Sequence, residues 1–148
     1  MSAKLVLFIC IENACRSLMA ESMFNSDPPD GWRAVSAGTR PAAAANPRTS
    51  SMLSELGLPL PAHSPQMLTP EMAEEATVRV TMGCLDDASC PAHLKTLALR
   101  DWGLADPAAM DDAGFRSIRD TLQDRIRGLR TELILSNRQA TDRERSAR

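Results

Sequence analysis

The chain contains no tyrosine, three phenylalanines and two tryptophans, an aromatic content of only 3%. Its core must therefore be built mainly from aliphatic side chains and methionine, of which there are eight. No apolar run approaches the roughly 20 residues of a membrane-spanning helix, so no membrane partner is expected. The formal net charge is −2, too small for a basic field that would attract nucleic acid or an anionic membrane. Lys4 precedes a short apolar run, but polar residues follow Cys10 and no small-residue cleavage site appears. The run is read as a first strand rather than a signal peptide, and a cytoplasmic protein is expected. There are no internal repeats.

What is present fits a globular protein: 43% hydrophobic and 24% charged residues in a chain of 148. That length suffices for one domain with a core, assigned to 1–136. From Asn137 onward the chain is polar and charged with no apolar face, and 137–148 is read as a frayed tail.

The informative stretch is Cys10–Ser17, Cys-Ile-Glu-Asn-Ala-Cys-Arg-Ser. Before it, Leu5–Ile9 is a continuous apolar run. After it, Leu18–Phe24 consists largely of helix formers. A buried strand thus delivers Cys10 into a tight loop that opens a helix, gathering backbone N–H groups and a positive helix-dipole end around one point. Such a point suits a tetrahedral oxyanion, held by Ile11, Glu12, Asn13, Ala14, Cys15 and Arg16, with Arg16 adding a planar fork of donors. The same surroundings favour the thiolate of Cys10, the nucleophilic form. Ser17 is placed to donate to that sulfur, and Asn13 is the loop residue most tolerant of a left-handed backbone. Without glycine or lysine, the loop is not of the ATP-binding Gly-Lys-Ser/Thr kind. The plainer alternative is a small buried hydrophobe at a strand end; the flanking strand and helix, with Asn and Ser between, favour chemistry.

Further along, Trp32–Ala37 reads as a second strand closed by Gly38. Asn46-Pro47 starts a helix with a cap and an N1 proline, with Met52, Leu53 and Leu56 on its apolar face. Thr69-Pro70-Glu71 starts a short third helix. Thr77–Met82 is a third strand, Gly83–Pro91 a loop, and Thr96–Leu99 a fourth strand. Phe115, Ile118, Leu122, Ile126, Leu129 and Leu133 recur at spacings of three and four, a long amphipathic helix starting near Asp111 and Asp112. The expected fold class is α/β, a three-layer sandwich with a central four-stranded parallel sheet flanked by helices. Ligands in such folds sit beyond the carboxyl ends of the strands, where the Cys10, Cys84 and Asp106 loops would meet.

Cys, five residues, Arg-Ser after the first strand, followed by Leu18-Met19-Ala20-Glu21, resembles the low-molecular-weight protein tyrosine phosphatase superfamily. Within it the chain is most similar to the thioredoxin-coupled arsenate reductases. The likeness continues at Val35-Ser36-Ala37-Gly38, Val80-Thr81-Met82, Cys90-Pro91 and Trp102–Pro107. The resemblance implies that Cys10 attacks arsenate, Arg16 holds its oxygens, Ser17 supports the thiolate and Asp106 protonates the leaving oxygen. It further implies a relay in which Cys84 and then Cys90 take over the oxidation and thioredoxin reduces the resulting disulfide, in the service of arsenic detoxification. The Cys84–Cys90 interval is one residue shorter than in the best-known members, which leaves mycothiol or glutaredoxin open as reductant. A small phosphatase hydrolysing phosphomonoesters through a Cys10 phosphocysteine is the alternative; it needs neither Cys84 nor Cys90.

Other readings of these residues stay open. Asp-Pro is commonly a turn or cap. Cys84, Cys90 and His93 could bind zinc, but a fourth ligand and the paired Cys-x2-Cys spacing are missing, so no metal is expected. Cys15 packs inside the loop or bridges to Cys10 and shields it from over-oxidation. Some relatives bind potassium through residues matching Asn13, Glu21 and Ser36; here Gln66 replaces the fourth ligand, an aspartate. Family phosphatases wall the pocket with tyrosines after Asp-Pro, whereas Ala108-Ala109 follows here, favouring a small inorganic anion. No tightly bound cofactor is expected, and the protein is expected to be a monomer.

Overall fold

The computed structural model describes residues 3–83 and 90–147. Four parallel strands, β1 (Lys4–Cys10), β2 (Trp32–Gly38), β3 (Val78–Thr81) and β4 (Arg100–Asp101), form one sheet in the order β2-β1-β3-β4. Among them run α1 (Arg16–Asn25), α2 (Pro47–Ser54) and α3 (Pro70–Glu75), and α4 (Asp112–Ser146) closes the chain. The expected α/β sandwich is the observed one.

The period-two alternation of β1 divides the interior. Val6, Phe8 and Cys10 point into the larger core with α1 and the Phe115, Leu122, Ile126, Leu129 and Leu133 stripe of α4. Leu7 and Ile9 point into a smaller one with Ala37, Leu68, Ala73 and Leu94. Residues Arg16–Phe24 of α1 are all buried, so this helix has no solvent face to show in its pattern. The carboxyl end of central β1 lies where the strand order reverses direction, the position at which open parallel sheets bind ligands.

Two expectations are corrected. The fourth strand is not Thr96–Leu99 but Arg100–Asp101, paired as Val80↔Arg100 and Thr81↔Asp101. Leu94 ends a short 3₁₀ turn, Ala92–Leu94, and is buried in the smaller core, while Leu97 donates its N–H to the Leu94 carbonyl and packs partly buried against the same core. Both β4 residues are exposed, so pairing with β3 defines this strand rather than apolar burial. Nor does the chain fray at Asn137: α4 continues to Ser146. Asn137 fastens it by donating to the Asp30 carbonyl and accepting from Trp32 Nε1, and Arg143 and Arg145 complement the helix dipole in the last turn.

Candidate active site

The loop after β1 turns its carbonyls away from Cys10. Those of Cys10, Ile11, Glu12 and Ala14 accept from the amides of Thr39, Arg40, Ala42 and Asn46. With the carbonyls tied outward, the alternate edge of each peptide presents N–H groups inward. Asn13 makes the turn with φ +52°, the one non-glycine positive φ among the described residues, as its position in the sequence suggests. Its backbone N–H donates to Cys10 Sγ at 3.2 Å. Gly38 completes the tight fit: a Cβ there would lie 2.4 Å from the Ile11 carbonyl oxygen and 2.9 Å from the Asn13 nitrogen. Helix α1 then begins with Cys15 at its cap position and no side-chain hydrogen bond closing its first turn.

Ser17 Oγ lies 2.9 Å from Cys10 Sγ and accepts from Asn13 Nδ2 at 2.7 Å. Since its oxygen is already accepting, the serine proton is free for the sulfur. Arg16 is 5% exposed. Its Nη1 donates to the carbonyls of Leu104, at 2.7 Å, and Met82, at 3.2 Å. One edge of the guanidinium is thus spent on binding the ends of two other loops. Its buried Nε has no partner, and Nη2 stands 3.8 Å from Asp106 Oδ2. The edge carrying Nε and Nη2 retains the geometry for two parallel bonds to an oxyanion. Asp106 is exposed, its Oδ1 accepting from the Ala108 amide at 3.0 Å. It therefore makes the cap expected of Asp-Pro and also faces the arginine. Cys10, Ile11, Glu12, Ala14, Cys15, Arg16 and Asp106 line a cavity of about 20 Å³, close to the smallest volume that holds a water. A larger groove of about 870 Å³, between Pro28–Asp30 and the end of α4, shares no residue with it.

A sequence model of the low molecular weight phosphotyrosine protein phosphatases matches residues 5–140. The chain belongs to that family. Within its range of activities, arsenate reductase 1 of Staphylococcus epidermidis is 31% identical over 123 residues, covering 83% of this chain and 92% of that protein. The thioredoxin-dependent arsenate reductase of Corynebacterium glutamicum superposes with a TM-score of 0.75 at 30% identity. That match covers 91% of this chain, which spans 64% of the longer structure. An arginine phosphatase of Geobacillus stearothermophilus shares the fold at 24% identity, with a TM-score of 0.79 over 92% of this chain and 96% of that one.

Behind the family loop, a buried network fixes each donor direction. Asn13 Oδ1 accepts from the Gln66 amide, and its Nδ2 donates to Ser36 Oγ as well as Ser17. Ser36 donates to Glu21 Oε1 at 2.8 Å. His63, a loop histidine to which the sequence attached no role, meets the same carboxylate through Nε2 at 2.8 and 3.0 Å. Its Nδ1 meets the Ser64 carbonyl at 2.7 Å. Both ring nitrogens thus face acceptors, the arrangement of an imidazolium. Partial burial opposes that charge, but the bonds to Glu21 and Ser64 outweigh it and hold the His63 pKa above its ordinary value. The residues matching the potassium ligands of relatives bond to one another here. Glu21 is engaged by His63 and Ser36, the Asn13 amide turns donors toward Ser17 and Ser36, and Gln66 Nε2 donates to the Ser36 carbonyl.

Of the remaining thiols, Cys15 is buried in the larger core, and desolvation pushes its pKa up to about 11 despite a bond with Thr49. It is held as a protonated thiol. Cys90 is free and half-buried. Cys84 lies outside the described residues. His93 is in the 3₁₀ turn with Nε2 buried, and among the described residues no three His, Cys, Asp or Glu side chains form a metal cluster. No helix among them is long and apolar enough to cross a membrane.

Proposed function

We propose that this protein is a cytoplasmic, monomeric arsenate reductase that works through three cysteines and a thioredoxin partner. The observation that carries the reading is the small donor-lined cavity over Cys10, walled by no aromatic ring among the described residues. The relatives named above support it. Cys10 thiolate attacks arsenic, held by the inward loop amides and by Nε and Nη2 of Arg16. An As–O bond breaks as the S–As bond forms, and Asp106 supplies the proton with which that oxygen leaves as water. Arsenic is still pentavalent in this adduct. Cys84 thiolate then attacks Cys10 Sγ; the S–As electron pair passes to arsenic, arsenite leaves, and a Cys10–Cys84 disulfide remains. Cys90 thiolate attacks Cys84 Sγ and expels Cys10 as thiolate. The thioredoxin dithiol reduces Cys84–Cys90; mycothiol or glutaredoxin is the alternative reductant.

The phosphatase reading rests on the same loop, where water in place of Cys84 would cleave a phosphocysteine. Arsenite release with thioredoxin, thioredoxin reductase and NADPH separates the two. Cys84→Ser or Cys90→Ser is expected to stop turnover after at most one cycle. Undiminished multiple turnover in both variants would sink the relay.

A further inference from the structure

The turn bearing Asp106 lies between β4 and α4, and its backbone carbonyls reach out to a residue far away in the sequence. Arg48, the second residue of α2, donates through Nη1 to the carbonyl of Met110 at 2.7 Å. Its Nη2 donates to the carbonyls of Ala108, at 2.9 Å, and Pro107, at 3.3 Å. Asp112 Oδ1 is 3.3 Å from Nη1, and the guanidinium rests 4.8 Å over the ring of buried Phe115. Three carbonyls of one short turn are therefore gathered by one planar group seated on an aromatic face.

The other end of this connection is the nucleophile loop. Asn46 caps α2 by accepting from the Arg48 amide, while its own N–H donates to the Ala14 carbonyl. Thr49 Oγ1 donates to the same carbonyl at 2.7 Å. The first turn of α2 thus binds the Cys10 loop through Asn46 and Thr49, and the Asp106 turn through Arg48. Among the described residues, Asp106 itself has only its cap to Ala108 and the 3.8 Å approach to Arg16.

We propose that Arg48 is a positioning residue for Asp106, a strap that sets the carboxyl over the sulfur by fixing the turn after it. The inference rests on the reading of Asp106 as proton donor. Lysine reproduces the strap only in part: its compact ammonium has three donors but lacks the planar fork that spans the Met110 and Ala108 carbonyls and the flat face that rests on Phe115.

The test measures first-turnover arsenite release by the reduced full-length protein over a range of arsenate concentrations. Arg48→Ala is expected to lower the saturating rate about ten- to a hundredfold, as displacement of a reacting group does. The half-saturating arsenate concentration should stay within about threefold, because the loop donors are untouched. Arg48→Lys should recover only part of the rate. In an Asp106→Asn background, Arg48→Ala should cost about twofold or less, since the group it positions is already gone. Hydrogen exchange at the Ala108 and Met110 amides should quicken in Arg48→Ala while residues 11–16 stay as protected as before. Independent, multiplicative losses in the double variant, a change in half-saturation alone, or unaltered exchange at both amides would overturn the proposal. If Arg48→Ala does not fold, the same readings on Arg48→Lys decide. Should the unaltered protein neither release arsenite nor hydrolyse a phosphomonoester, the proposed function fails, while the exchange measurement still judges the strap.

Discussion

The loop after β1 and the turn after β4 face each other across one small cavity, yet they are built in opposite ways. Around Cys10 the polar groups are buried and cross-linked: Asn13, Ser17 and Ser36 are 0% exposed, and each bonds to another member of the set. Around Asp106 the side chain is 54% exposed and the backbone is held from outside by Arg48. The difference matches what each group must do. A thiolate has to be surrounded by donors that are already in place, because reorienting them would cost energy at the moment of attack. A proton donor must exchange its proton between cycles, which requires access to water. One half of the site is thus rigid by burial and the other by a tether.

Four substitutions put this contrast at risk, in descending order of expected effect. Arg16→Lys removes the guanidinium that joins the two halves through the Met82 and Leu104 carbonyls and that, in the proposed reaction, grips the oxyanion. Arsenite release should fall about a thousandfold, the upper range for loss of a preorganised donor. Asp106→Asn should lower the rate about a hundredfold with little change in arsenate affinity, in line with general-acid loss; an unchanged rate would make this residue a cap and nothing more, since asparagine caps as well as aspartate. Gly38→Ala forces a methyl against the Ile11 carbonyl. Denaturant unfolding should show a cost of about 1–3 kcal/mol from overpacking, with activity falling in parallel, whereas Gly128→Ala in α4, where a Cβ meets nothing within 4 Å, should cost neither stability nor activity.

His63→Gln is the mildest. The folded-state pKa of His63 is raised, so the pairing with Glu21 contributes its full stability below the unfolded value near 6.5 and loses it as pH rises through the higher folded value. With the ring about a third exposed, the contribution is about 1 kcal/mol or less. Melting curves of the two proteins should converge at high pH and separate at low pH. A gap that widens on the alkaline side would contradict the imidazolium assignment.

Cys10, Asn13, Arg16 and Ser17 could be found in the sequence because the loop is a contiguous run whose chemistry depends on spacing and on the strand and helix either side. The sheet, α1 and the stripe of α4 could be found for a similar reason, since apolar periodicity is a local record of burial. Arg48 left no such trace. Its carbonyl partners stand some 60 residues away, and an arginine in the first turn of a helix looks like any solvated one. His63 was hidden in the same way, since its partner Glu21 lies 42 residues back. The short β4 was misplaced because two exposed residues carry no apolar pattern, and its register exists only in the hydrogen bonds to β3. Asn137 likewise looks like the start of a tail in sequence, because its bonds to Asp30 and Trp32 span more than 100 residues.

Helix α1 starts without a side-chain cap, and that omission makes the substrate the missing piece of the helix. An incoming tetrahedral anion supplies the negative end that serine or aspartate supplies elsewhere. In the proposed reaction, reduction then erases the charge, because arsenous acid is neutral where arsenate is anionic. The spent ligand loses its hold on those amides as a result of the chemistry itself, so the step that makes product also evicts it.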